Sequence, residues 1–289
     1  QKLELQELLS YIMLFQNIAK STKKNKSEKV SISLEDKALG HLMKMLSYEV
    51  ERGSLEGNNF QRKLKRKVIL AQSLPNTGFE EYNLKVTSAY GYKANFIVRG
   101  INLLTNGRKR VSMLICDTQR VQNSDILIVK GSEEAMIDCL LLNQKEKSQI
   151  KQLTTIYRNA GFKQIIIGFK TLRQEELNNY KASMEKISTS KRDQLQEYEK
   201  LAMSLETDLK YIGSIGVVDN AREDAIPAIK RFKSSLQDIS IFSGDSLDSC
   251  LNIVKELKFD STDFNDPSQY FSLTAVSEKR LKFQIRRIL

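Results

Sequence analysis

An apolar run, Ile126 to Val129, ends in Lys130-Gly131 and is followed by Ser132-Glu133-Glu134. A lysine and a glycine at a strand end carry, by themselves, only a weak nucleotide signal. Such a dipeptide is usually a surface lysine and a turn glycine. Two further strings suit phosphate chemistry: Asp219 closes the run I-G-S-I-G-V-V, and Ser243-Gly244-Asp245 closes Ile239 to Phe242. In a parallel sheet the carboxyl ends of neighbouring strands open on one crevice, so these groups would converge although distant in sequence. Gly244 permits a tight turn, the Ser243 hydroxyl can bond a phosphate oxygen, and the following helix N-terminus favours anions. Asp219 and Asp245 serve equally well as helix caps.

Other chemistries find little support. Cys116, Cys139 and Cys250 are widely spaced and odd in number, and His41 is the single histidine, which argues against a zinc site, a disulfide framework or a histidine dyad. The thiols read as small buried hydrophobes and His41 as a packing or surface residue. Forty-six Lys and Arg against thirty-five Asp and Glu give +11, which favours anionic partners. The basic runs Lys20 to Lys29, Arg62 to Lys67, Arg108 to Arg110 and Lys279 to Arg287 lack interleaved aromatics, so a nucleic-acid binder is a distant alternative that salt-dependent binding to DNA or RNA would reveal. No window approaches eighteen uninterrupted apolar residues, and the N-terminus lacks the order of a signal peptide.

The elements that would position these groups follow from periodicity. Residues 3 to 18 carry leucines, isoleucine, methionine and phenylalanine at helical spacing, and a second helix is expected from Ser33 to Val50 with Ala38, Leu39, Leu42, Met43 and Leu46 on one face. From Lys67 to Val129 short apolar runs alternate with turn signals, which predicts a largely antiparallel sheet with strands at 67–70, 96–98, 111–116 and 126–129. Helices near Ala135 to Leu142 and Lys145 to Ala160, a strand over Ile165 to Phe169 and a long charged helix from Leu177 to Leu209 are expected next. At Tyr211 the pattern changes to strand, helix, strand, helix: 211–218, Asp224 to Leu236 with Pro227 in its first turn, Ile239 to Phe242, and Leu247 to Leu257. Short connections make this half of a Rossmann-like parallel unit, and place a domain boundary near residue 210. The expected fold class is α/β.

Arg108-Lys109-Arg110-Val111-Ser112, the run ending in Lys130-Gly131-Ser132-Glu133 and the later Ser243-Gly244-Asp245 resemble, in order and spacing, the nucleotide-binding and phosphorylation domains of P-type ATPases. The R-K-R-x-S element is similar to that of the phospholipid-flippase branch. S-L-E-D-K-A-L at 33–39 resembles the family's S-P-D-E-x-A-L, Asp219-Asn220-Ala221-Arg222 its D-x-x-R, and residues 204–219 its return segment. The resemblance reaches from the start of the chain to about Phe259.

It implies a nucleotide-binding domain over residues 1–209, an α+β unit with an antiparallel sheet. Part of a HAD-type phosphorylation domain is implied over 210–260, and 261–289 are unassigned. The nucleotide contacts carried over are Asp36, Leu104, Lys130, Gly131, Lys163, Asp219, Arg222, Ser243, Gly244 and Asp245. Several depart from the family. Asp36 stands for a glutamate, Lys163 in G-F-K-Q-I for the arginine of G-x-R-T-L, and Leu104 for the phenylalanine that stacks on adenine; only Lys130 is unchanged among these four. Losing a base stack costs roughly 1 to 3 kcal/mol. The implied ligand is ATP, with Mg²⁺ in an intact pump, and the implied partners are the remaining pump domains, membrane helices and a phospholipid substrate, with no nucleic acid. The chain would be a cytoplasmic portion of a membrane protein. The family's D-K-T-G-T and G-D-G-x-N-D strings do not occur in these residues, so the isolated polypeptide is expected not to turn over ATP. The alternative is a catalytically dead relative kept as a regulatory or interaction module.

Overall fold

A computed structural model describes residues 38, 39, 41, 42, 45, 48–53, 82–88, 93–105, 107–118, 125–189, 194–218, 221–235, 239, 241 and 247–257. The chain divides into two compact units, one of Gln1–Thr154 with Gln164–Val217 and one of Thr155–Lys163 with Val218–Leu289.

The first unit is built on a seven-stranded sheet whose neighbours follow chain order: β1 (Tyr48–Gly53), β2 (Tyr82–Ser88), β3 (Lys93–Asn102), β4 (Arg110–Asp117), β5 (Asp125–Gly131), β6 (Lys163–Thr171) and β7 (Lys210–Val217). The first six are antiparallel throughout. With its helices this is the α+β architecture expected. Period-two alternation gives the sheet two buried faces. On one, Leu84, Val86, Phe96, Val98, Met113, Ile115, Ile126, Ile128, Ile165 and Ile167 join Leu39 of the helical residues before β1. On the other, Leu114, Leu127, Val129 and Ile166 meet the helices. The central strands β4 and β5 are therefore buried on both sides and read as continuous apolar runs. A bulge between Val98 and Gly100 sets Arg99 outside the β3–β4 register, and its Nε lies 2.6 Å from the Asp125 carboxylate that opens β5.

The helices are α1 (Glu133–Met136), α2 (Gln144–Asn159), α3 (Gln174–Thr189), α4 (Gln194–Leu205), α5 (Ala225–Ser234) and α6 (Leu247–Glu256). Asn143 and Glu146 form a reciprocal capping box at the start of α2: the Glu146 N–H donates to Asn143 Oδ1 at 2.9 Å and the Asn143 N–H to Glu146 Oε2 at 2.8 Å.

Several expected boundaries shift. Tyr48-Glu49-Val50-Glu51 alternates with period two and pairs with β2, so the second helix stops before Val50. The strand β2, with Leu84 and Val86 fully buried and Lys85 exposed, carries the same alternation and was not among the expected strands. The helix expected to Leu142 ends at Met136, because the Leu209 N–H donates to Cys139 O and the Leu141 N–H to Leu209 O, drawing that backbone into a parallel bridge. The residues of the expected long charged helix are described as two helices, α3 and α4. Its described parts are Gln174–Thr189 and Gln194–Leu205, and α4 ends at Leu205 before Asp208, whose φ of 55° suits a short polar side chain.

The strand expected to open a separate parallel unit at 211–218 is β7, which lies beside β6 in the first unit's sheet, and the division between units falls after Val217. Of the strand expected over 239–242, Ile239 and Ile241 are described, neither in a strand. In the second unit the Asn252 amide donates to Arg158 O at 3.0 Å, Glu256 accepts from the Ala221 N–H at 3.0 Å, and Tyr157 and Phe162 meet edge to face. The helix expected over residues 3–18, the strand at 67–70 and the Pro75 turn lie outside the described residues.

Candidate functional site

The hairpin joining β3 to β4 is the most elaborately built part of the first unit. Arg110, Ser112, Leu114 and Cys116 share the helix-covered face of β4, so two polar groups on a buried face require partners. The partner is Glu206, at the end of α4 and fully buried. Its carboxylate accepts from Arg108 Nη2 at 2.8 Å, Arg108 Nε at 3.2 Å, Arg110 Nε at 2.6 Å and Ser112 Oγ at 2.6 Å.

One glutamate offsets one of two arginines. Carbonyl oxygens take up the remaining guanidinium donors: Arg108 bonds Leu103 O at 2.8 Å and Arg110 O at 3.1 Å, and Arg110 bonds Ala135 O at 3.1 Å. The network continues through Asn102, whose amide donates to Ser112 Oγ at 2.9 Å while its carbonyl accepts from Tyr180 at 2.6 Å and Tyr198 at 3.1 Å. Donors thus run from two phenols through Asn102 and Ser112 to the carboxylate, an order in which each bond polarises the next. Burial pushes the Tyr180 phenol up to about 12 and raises Tyr198 as well, so both remain neutral donors at physiological pH. The Arg108 guanidinium also lies 5.9 Å from the Tyr198 ring centre.

Above this network the loop is tight. The Lys109 N–H donates to Thr105 O at 2.8 Å, and Lys109 itself sits at φ 53°, a left-handed conformation rare for a side chain of its kind. A side chain at Gly107 would strike the Glu199 carboxylate at 2.6 Å. Leu104, at the start of this loop, is 63 % exposed, whereas Arg108 is 1 % exposed.

Lys130 and Gly131 lie in β5 directly beside this hairpin: Gly131 is opposite Arg110 and Lys130 opposite Val111. Alternation with Ile126 and Ile128 places Lys130 on the face that carries Leu39, opposite the one that holds Glu206, and it is 4 % exposed. Gly131 faces the other way. A Cβ there would come 3.0 Å from Arg110 Cβ and 3.2 Å from Met136 Cγ, so its lack of a side chain serves the packing of α1 and Arg110 against the strand.

Leu104, Lys130 and Gly131 therefore belong to one region of the first unit. Lys163 opens β6 and is exposed, and Arg222 is exposed with its Nε 3.6 Å from Asp224, the residue before α5; both belong to the second unit. Asp36, Asp219, Ser243, Gly244 and Asp245 lie outside the described residues. Among the described residues no three or more His, Cys, Asp or Glu are grouped to hold a metal, and no helix is long and apolar enough to cross a membrane.

Sequence reasoning missed Glu206, Asn102, Tyr180 and Tyr198. Their partners are up to 98 residues away, and no spacing rule links them. The available signal was two cations and a serine bordering a strand whose inward positions are otherwise apolar, which demands a buried acid.

No protein-family profile matches the chain. Among curated proteins it is similar to phospholipid-transporting ATPase 1 of Arabidopsis thaliana, 22 % identical over 173 residues, 58 % of this chain and 14 % of that protein. Probable phospholipid-transporting ATPase 4 of the same plant is 26 % identical over 160 residues, 53 % of this chain and 13 % of that protein. Phospholipid-transporting ATPase IC of Xenopus tropicalis is 23 % identical over 168 residues, 57 % of this chain and 13 % of that protein. The chain thus spans about an eighth of the length of the relatives it matches.

Proposed function

We propose that this chain is the ATP-binding cytoplasmic region of a phospholipid-translocating P-type ATPase, altered at its adenine pocket. The observation that carries the reading is the register of β4 and β5, which sets Arg110 and Val111 of the R-K-R-V-S element opposite Gly131 and Lys130, in a chain similar to three proteins named as phospholipid-transporting ATPases. In this reading Lys130 supplies the charge for the nucleotide. Because it is nearly buried, that charge would act in a site with little water, where an ionic contact is strong. Leu104 stands where an aromatic ring would hold adenine and offers shape without a π face. Asp36, Lys163, Asp219, Arg222, Ser243, Gly244 and Asp245 are proposed to complete the nucleotide and phosphate contacts, the last five in the phosphorylation domain or its approach. Residues up to 209 would then be the nucleotide-binding domain and 210–260 part of the phosphorylation domain, with β7 lending its strand to the first unit's sheet. Magnesium would arrive with the nucleotide, and no described group of residues is assigned to it.

In an intact pump, ATP bound here would phosphorylate an aspartate on another segment and so drive phospholipid movement. The polypeptide alone should therefore show no ATP turnover. Incubation with γ-labelled ATP followed by acid quench should yield no phosphoprotein; a hydroxylamine-sensitive labelled band would overturn this. The exposure of Leu104, together with the changes at Asp36 and Lys163, favours a second reading, a relative that has lost nucleotide binding and acts as a regulatory or interaction module. Failure of both the parent and Leu104→Phe to bind ATP would select it.

A further inference from the structure

Glu206 lies at a point from which both halves of the proposed nucleotide site are reached in two contacts. On one side its carboxylate holds Arg108 through Nη2 and Nε, and Arg108 Nη1 holds the carbonyl of Leu103, the residue before Leu104. On the other side it holds Arg110 Nε, and the Arg110 Cβ is the neighbour that a side chain at Gly131, next to Lys130, would meet. The two arginines flank Lys109, whose left-handed backbone persists only where its surroundings fix it. A single buried carboxylate therefore sets where the loop bearing Leu104 stands relative to the strand bearing Lys130.

We infer that Glu206 is a positioning residue for nucleotide binding: through Arg108 and Arg110 it fixes the β3–β4 loop against Lys130-Gly131, and the ATP affinity of the chain depends on it although it touches no nucleotide. This rests on the reading of the site given above. Neither arginine of R-K-R-x-S is then an anion contact, since both guanidinium groups are turned inward onto Glu206 and carbonyl oxygens. Glutamine at 206 keeps the shape of the side chain and loses the charge that gathers both arginines, so the loop loses its anchor.

The test is an NMR titration of the full chain with MgATP, comparing the parent with E206Q and S112A. Removing the Ser112 hydroxyl takes one neutral donor from the carboxylate and leaves both arginines in place. E206Q should weaken ATP binding on the order of fivefold and displace the Leu104 and Gly131 amide resonances before any nucleotide is added, while S112A should stay within about twofold of the parent. If E206Q does not fold, R108K serves instead: it keeps the charge, loses the fork that joins Glu206 to Leu103, and should displace Leu104 in the same way. Unchanged Leu104 and Gly131 resonances with unchanged affinity in folded E206Q, or equal losses of affinity in E206Q and S112A, would overturn the inference. A parent that binds no ATP at millimolar concentration would overturn the function proposed above instead, and the resonance displacement in E206Q without nucleotide would still decide whether Glu206 fixes the loop.

Discussion

The buried face and the exposed loop of the β3–β4 hairpin invert the usual distribution of polarity. On the helix-covered face two arginines, a glutamate, an asparagine and a serine are buried together and bonded to one another, while at the loop a leucine stands 63 % exposed. A buried ionic cluster holds only when its members satisfy each other, so every residue in it is constrained by the rest. A mostly exposed leucine has little packing to lose and tolerates change. The motif R-K-R-x-S thus contributes scaffold through Arg108, Arg110 and Ser112, while Leu104, proposed to face the ligand, stands exposed at the loop.

Substitution at the two places separates them most sharply. Glu206→Ala leaves two buried guanidinium groups without their acid and should cost about 3 to 5 kcal/mol in urea unfolding, whereas Leu104→Ser should stay within about 0.5 kcal/mol of the parent. Similar losses at both sites would erase the distinction.

Alkaline unfolding probes the far end of the same network. The folded Tyr180 phenol titrates at about 12 against 10.0 for an ordinary tyrosine, so its contribution is fully present below pH 10 and is lost as pH rises through 12. Stability should fall across that window by on the order of 2 to 3 kcal/mol, and Tyr180→Phe should flatten the fall. A parent and a Tyr180→Phe variant with the same pH profile would remove the phenol from the account.

The smallest expected effect is at the exposed start of α3. There the Arg173 N–H donates to Glu176 at 2.9 Å and holds that carboxyl below its ordinary value, with Lys170 and Arg173 adding to the effect. A depressed carboxyl stabilises above its unfolded value and loses that contribution as pH falls. Solvent screening limits it, so Glu176→Gln should cost about 0.5 kcal/mol or less at neutral pH, and the difference should vanish in acid. A gap of several kcal/mol that persisted in acid would show that the buried network is not the dominant electrostatic feature.

What was legible in the sequence follows from range. The strands 96–98, 111–116 and 126–129 were visible because each carries an uninterrupted apolar run, and α2 was expected within a residue of its bounds at Lys145 to Ala160. The strands β1 and β2 were harder, since Tyr48 to Gly53 follows a helical pattern without a break and Tyr82 to Ser88 is half polar. At the proposed site, the pairing of Lys130-Gly131 with Val111 and Arg110 joins strands adjacent in the chain, a local arrangement that the order of the motifs suggests. Glu206 could not be placed in this way, since only the packing of α4 against the sheet sets it beside Arg108.

The central claim is that a nucleotide site survives in weakened form around Leu104 and Lys130. Titrating the parent, Leu104→Phe and Lys130→Ala with MgATP and following amide shifts tests it directly. The parent should bind in the millimolar range, Leu104→Phe about tenfold tighter through restored stacking, and folded Lys130→Ala not at all. Micromolar binding by the parent that Leu104→Phe leaves unchanged would contradict the placement of the site, and no binding by either would contradict the claim that it survives.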